Sequence, residues 1–288
     1  MKLTTLKIDG AEKAAIAAPR GFVLVDRINR ELGARWRTDP FDLIESGQLN
    51  ELAAWHRAGG AETLAAMDAV PFDRAAYAPL YRRPRKIWGI GFNYAANEEE
   101  LRQTDPDAEP VGFLKPDTAL IGPGDPIRLP AQSERTVAEA ELAIVIGRPC
   151  KNVPEEEAER YVAGFAAVFD MSADDIHRRN PRFLTRAKSF DTFFSFGSEL
   201  VTPDEYPDVL DIEVRAALNG ETMHRNVVRN MRFRPWQTVA FHSNVMTLLP
   251  GDVIMTGTPG ALVIRAGDTV ECSIDGLTPL ANPIVREL

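Results

Sequence analysis

Two cysteines in 288 residues, Cys150 and Cys272, are too few and too far apart for a recognisable metal or redox spacing. Buried, reduced thiols in a cytoplasmic protein are the expectation. Long hydrophobic runs are missing too, so no segment approaches the length of a membrane span. The stretch Met1–Gly10 has no signal-peptide core. A basic surplus is absent: the formal charge is −9, which argues against a nucleic-acid or anionic-membrane binder. There is no internal repeat and no low-complexity tract. What remains is 44% apolar and 26% charged, the composition of an ordinary soluble protein with one large or two modest domains.

The chain reads as two units. Residues 1–84 form a small N-terminal α+β domain, with strands expected over Leu3–Ile8 and Phe22–Val25 and helical spacing across 41–67. A basic, proline-broken connection, Tyr81-Arg82-Arg83-Pro84-Arg85-Lys86, leads into residues 85–288. That second unit is strand-rich and punctuated by turn signals at Leu129-Pro130, Asn219-Gly220, Pro250-Gly251-Asp252 and Ala266-Gly267-Asp268. Helices are expected near 154–163, 172–179 and 235–247. The pattern by itself says α+β with much sheet.

The most informative stretch is Ala138-Glu139-Ala140-Glu141, which heads the apolar run Leu142–Ile146. Residues i and i+2 of a strand share a face, so Glu139 and Glu141 aim two carboxylates at one spot. Near a core that costs free energy unless positive charge meets them, and a hard divalent cation is the simplest partner. A solvent-exposed acidic strand face is the plainer alternative. Further on, the apolar run Tyr161–Phe169 leads to Asp170, and Ser172 with Asp175 matches a helix N-cap pattern. Asp170 thus falls where a strand meets a helix, a usual place for a ligand or catalytic acid.

Six segments in a fixed order resemble the fumarylacetoacetate hydrolase family. They are Gly91-Phe92-Asn93-Tyr94; Lys115-Pro116 with Ala119–Asp125; Glu139-x-Glu141; Asp170-x-Ser172-Ala173; Lys188-Ser189-Phe190-Asp191; and Thr256-Gly257-Thr258-Pro259. Each alone is weak, and the ordered set is specific. The likeness is strong from about 85 to 288 and weak before that. It implies a distorted mixed β-roll or β-sandwich that houses the site beside the smaller N-terminal domain. It also implies that Glu139, Glu141 and Asp170 bind Mg²⁺ or Mn²⁺, with Ca²⁺ as a further option. Substrate oxygens of a small 2-oxo acid would share that cation, which would act as a Lewis acid. A homodimer is expected from the resemblance alone.

The same resemblance places Lys188 near the substrate, where an ammonium could stabilise an oxyanion; a structural salt bridge to Glu139 or Asp170 is the competing reading. Thr258 and its turn could hold a substrate carboxylate or simply brace the turn. Lys115 either approaches the site or caps the sheet. Tyr94 and Asn97 are counted with Lys115 and Thr258 as substrate-binding candidates.

Two departures from the family pattern stand out. Family hydrolases commonly place a His after Asn-Tyr and a Glu three residues later, a dyad that activates water on a mobile lid. Here Glu100 keeps the acid and Asn97 stands where the His would be; an amide cannot accept a proton near neutral pH. The second departure is Asp174 with His177, where many relatives have Arg and Gln. Spaced i, i+3, the two could form a replacement acid–base pair, or Asp174 could simply favour a helix N-terminus. His56, His224 and His242 lie outside the motifs and are expected to be structural.

The leading expectation is metal-dependent hydrolysis of a C–C bond in an acylpyruvate-like β-diketo acid, with Lys188, Glu100, His177 and Asp174 as catalytic candidates. Nearly level with it stands decarboxylation of an oxaloacetate-like acid, or keto–enol tautomerisation or isomerisation, which tolerates Asn97 better. A catalytically silent cation-binding protein is the third reading.

Overall fold

A computed structural model describes residues 1–286, and it is the strand-rich α+β structure expected. A twelve-stranded mixed sheet forms the main layer, and a five-stranded sheet packs across it. The centre of the large sheet is an antiparallel pair, Thr136–Ile146 with Val162–Ala173. Every residue of Val162–Ala173 is buried. That explains its nearly unbroken apolar sequence: a strand covered on both faces has no reason to alternate.

Strands of the N-terminal unit extend this same sheet. Lys2–Ile8 pairs antiparallel with Glu199–Val201, which in turn pairs with Val162–Ala173. Its other neighbour is Ala11–Ala18, a strand absent from the sequence reading. Alanine-rich AEKAAIAA has weak strand propensity. The decisive signal was the preceding Asp9-Gly10, both at positive φ (51° and 78°), the geometry of a tight two-residue hairpin. Asn219-Gly220 makes the equivalent turn between Glu213–Leu218 and Glu221–Val227, as expected.

The helical expectations need three corrections. The 41–67 region is a succession of short pieces, Pro40–Glu45, Gln48–Trp55 and Ala61–Ala66, broken by glycines at 47 and 59 in left-handed conformation. Residues 155–161 form a 3₁₀ segment, and the strand takes over at Val162. The helix expected to start at Ser172 begins at Asp174. Ser172 belongs to the strand and Ala173 caps nothing with its side chain, so the Ser172–Asp175 cap pattern was misleading. The helix Pro235–Val245 lies where expected. No helix of the described residues is long and apolar enough to cross a membrane.

Candidate active site

Strand register builds the centre. Glu139 lies directly opposite Asp170, and Glu141 is two residues further on the same face. Opposed carboxylates repel, so the arrangement needs positive charge. The three residues can offer oxygens that all lie within 4.8 Å of one another. Glu141 and Asp170 are fully enclosed, and Glu139 is half-buried.

Two ammonium groups reach this cluster from other elements. Lys188, at the C-terminal end of the helix Leu184–Lys188, donates to Glu139 Oε2 at 2.7 Å and to Asp170 Oδ2. Its Nζ also stands 4.6 Å from the centre of the Phe113 ring, a cation–π contact that helps to replace lost water. Lys115, ending the strand Val111–Lys115, donates to Asp170 Oδ1 at 2.5 Å and to the Met171 carbonyl at 3.0 Å. The salt-bridge reading of Lys188 is therefore realised, and Lys188 also lines the cavity. Lys115 reaches the cluster, the first of its two expected placements, through Asp170, and the residues that line the cavity do not include it.

Electrostatics follow from this packing. Burial opposes the Asp170 charge, yet the two ammoniums outweigh it and hold its carboxyl below the usual range. Burial pushes Lys115 down to about 8 against the pull of Asp170. Burial also opposes the Lys188 charge, and the carboxylates of Asp170 and Glu139 raise it above the ordinary value nonetheless. Burial, reinforced by Asp170 and Glu139, drives Glu141 well above a normal carboxyl. Three carboxylates against two ammoniums leave one negative charge uncompensated, and Glu141 bears that cost. Its Oε2 accepts a hydrogen bond from the Gly257 amide at 2.5 Å. An enclosed, all-oxygen, net-negative cluster fits a hard divalent cation; Glu139, Glu141 and Asp170 would hold it.

The cluster opens into a cavity of about 310 Å³. Its walls include Tyr94, Asp174, His177 and Thr258 from the sequence candidates. Ile90, Phe92, Val111, Phe113 and Leu184 supply an apolar face that sequence reasoning missed. They come from three segments, around Ile90–Phe92, Val111–Phe113 and Leu184, which tertiary packing brings together. Phe92 sits at positive φ (58°) and is 76% exposed. Asn93, next to it, fixes this turn by donating to the carbonyls of Thr256 and Phe233 and accepting from the Phe233 amide. The Tyr94 hydroxyl is buried with no hydrogen-bond partner among the described residues. Thr258 Oγ1 donates to the Gly260 carbonyl at 3.0 Å, so the hydroxyl braces its own turn.

The acid–base candidates fare unevenly. Asn97 and Glu100 do not line the cavity. Asn97 caps the helix Glu98–Arg102, its Oδ1 accepting from the Glu100 amide at 3.0 Å. Glu100 answers by accepting from the Ala96 amide at 2.8 Å and pairs with Arg232. The backbone bond and Arg232 hold its carboxyl below the usual range. This is a reciprocal helix cap, which is why an amide serves well at 97. Asp174 and His177 share a wall without the hydrogen bond expected between them. Asp174 Oδ2 is instead taken by Arg135 Nε and Arg178 Nε, each at 2.7 Å. The replacement-dyad reading is corrected accordingly: His177 is half-buried on the cavity wall, and Asp174 is an arginine partner.

Residues 86–285 match the model of the fumarylacetoacetate (FAA) hydrolase C-terminal family. A mitochondrial oxaloacetate tautomerase of Xenopus laevis is 38% identical over 212 residues, covering 70% of this chain and 66% of that protein. The structure of a 5-carboxymethyl-2-hydroxymuconate delta-isomerase from Mycobacterium smegmatis superposes with a TM-score of 0.77 at 32% identity, covering both chains fully. A maleylpyruvate hydrolase from Sphingobium sp. SYK-6, in complex with manganese(II) and pyruvate, gives a TM-score of 0.80 at 27% identity, again over both full chains.

Proposed function

The chain belongs to the fumarylacetoacetate hydrolase family, and on that premise we propose that it is a divalent-cation-dependent keto–enol tautomerase or isomerase of a small 2-oxo acid. The observation that carries this choice over hydrolysis is the engagement of Asn97 and Glu100 in a helix cap, away from the cavity. Proton transfer at carbon needs no water-activating dyad. The tautomerase relative and the isomerase neighbour support the same class.

Glu139, Glu141 and Asp170 would hold Mg²⁺ or Mn²⁺, which when bound supplies Lewis-acid polarisation of substrate oxygens. The chain's own groups do the rest. Lys188, fixed by Glu139 and Asp170 over the Phe113 ring, places positive charge beside the keto oxygen without having to reorganise. His177 is the imidazole on the cavity wall, a side chain with a ring nitrogen able to accept a proton. It takes the proton from the carbon next to the keto group. The C–H pair becomes the C=C bond, the C=O π pair moves onto oxygen, and the proton is returned there. Tyr94 lines the same cavity, with its buried hydroxyl unpartnered among the described residues.

Hydrolysis of a C–C bond is the second reading, favoured by the likeness to the maleylpyruvate hydrolase. Proton NMR in D₂O with acetylpyruvate and oxaloacetate, with Mn²⁺ or with chelator, separates the two. Chelator-sensitive deuterium exchange with every carbon retained is expected, lost in Glu141→Gln and His177→Ala and kept in Glu100→Gln. Pyruvate and a second carboxylate, formed in a Glu100-dependent way, would establish hydrolysis. Loss of CO₂ from oxaloacetate would establish a decarboxylase.

A further inference from the structure

We infer that Phe92 is a substrate-contacting residue, held at the cavity mouth by a strained turn so that its ring folds over a bound substrate and shuts water out of the carboxylate–lysine centre. This rests on the 2-oxo acid reading above and adds how that site is closed. Of the residues that line the cavity, Phe92 and Val111 alone are exposed, at 76% and 45%. Glu141 and Lys188 line the same cavity and are buried. Apolar side chains therefore stand at the opening, and the charges lie inside. A phenyl ring left in water gains nothing from burial until something covers it. A ligand seated in the cavity brings that cover. Water displaced from the opening also strengthens the contacts between ligand and charge inside, because screening falls.

Backbone geometry points the same way. At φ +58° Phe92 is in the left-handed region, which disfavours any residue with a Cβ and a bulky one most. Four other non-glycine residues of the described chain share that sign, Asp9, Asn152, Thr192 and Asn219. Asp and Asn tolerate it through local bonds of their short side chains. Thr192 is buried, and its Oγ1 accepts from the Arg128 amide at 2.9 Å. Phe92 has neither compensation, since its ring stands mostly in solvent. The turn is instead pinned from both sides. Gly91 pairs with Val111 at the end of the strand Ile87–Gly91. Asn93 donates to the carbonyls of Phe233 and Thr256, and its own carbonyl accepts from the Arg232 amide at 2.7 Å. A strained position that its neighbours over-determine, with the side chain left in water at a cavity mouth, is one kept for binding.

The test uses the Mg²⁺-loaded full chain and trimethylpyruvate, a 2-oxo acid that cannot enolise, so that binding is read without turnover. In Phe92→Trp the emission of the introduced indole, after subtraction of the four native tryptophans, should start at the red end and move to the blue as the ligand saturates. By calorimetry, Phe92→Ala and Phe92→Gly should bind trimethylpyruvate about tenfold more weakly, the worth of covering most of a phenyl ring. Phe92→Leu keeps an apolar cover and should lose about threefold or less. Mg²⁺ affinity should be the same in all of them, because the three carboxylates remain. Phe92→Gly should also melt no lower than the wild type, since glycine accepts positive φ and the ring it removes is exposed. An indole emission unmoved by saturating ligand overturns the inference. So does an affinity that Phe92→Ala and Phe92→Gly leave within about twofold, or a clear loss of melting temperature in Phe92→Gly, which would make the ring a support of the fold. The proposed proton transfer would survive each of these results. A wild type that binds Mg²⁺ and not trimethylpyruvate would instead remove the 2-oxo acid reading and this inference with it.

Discussion

Replacing Lys115 by methionine would test whether the carboxylate cluster is balanced by charge. Lys115 is 4% exposed, and its Nζ lies 2.5 Å from Asp170 Oδ1. Methionine keeps much of the volume and removes the charge, so packing loss is small. Breaking one side of a buried ion pair costs about 3–5 kcal/mol. The lower end applies because Lys188 still faces Asp170. Without a cation, Lys115→Met should therefore lose about 3 kcal/mol, a fall in Tm of roughly 6–12 °C for a domain of this size. A bound divalent cation restores two positive charges to the same cluster. The deficit should then shrink to within about 1 kcal/mol, and the rise in Tm on adding Mn²⁺ should exceed that of the wild type. Differential scanning calorimetry with chelator and with Mn²⁺ gives both numbers. An equal loss under the two conditions, or less than about 1 kcal/mol in chelator, would refute the charge-balance argument.

Two further substitutions probe supporting parts of the molecule. Gly257 sits at φ +98°, a Cβ there would meet Asn93 Cβ at 2.9 Å, and its amide holds Glu141. Gly257→Ala should cost about 1–3 kcal/mol in urea unfolding and also weaken Mn²⁺ binding; a variant unchanged in both would show that the Gly257 amide does not position Glu141. His242 is buried with Nδ1 2.8 Å from the Thr238 carbonyl, and burial holds its pKa below the ordinary value despite that bond. Because the unfolded chain takes up the proton first, stability should fall as pH drops through about 6.5 and level off below the folded pKa. Urea midpoints between pH 5 and 7.5 should show this slope, and His242→Gln should flatten it; an unchanged slope would exclude His242 as its source.

Several of these features could be read directly from residue order. Glu139 and Glu141 share a face because strand periodicity is two, and no tertiary contact can alter that. Asn219-Gly220 and Asp9-Gly10 specify hairpins through their tolerance of positive φ. Asn97 was legible as a departure from the family pattern, yet its meaning was not. Capping is a local bond, and the spacing Asn97-x-x-Glu100 carries it. Ser172 shows the reverse error, a local cap pattern overridden because strand pairing with Val137 keeps that residue extended.

Sequence by itself determined the oxygen-donor chemistry, the family and the strand-rich class, since these depend on residue type, order and local period. Tertiary structure alone decided which charges meet. Lys115 and Lys188 stand 55 and 18 residues from Asp170 and reach it from the strand Val111–Lys115, at an edge of the large sheet, and from the helix Leu184–Lys188. Arg135 reaches Asp174 across 39 residues, and the apolar wall is gathered from distant segments. Such encounters are fixed by register and packing, which depend on the whole chain's burial and leave no mark at any one position.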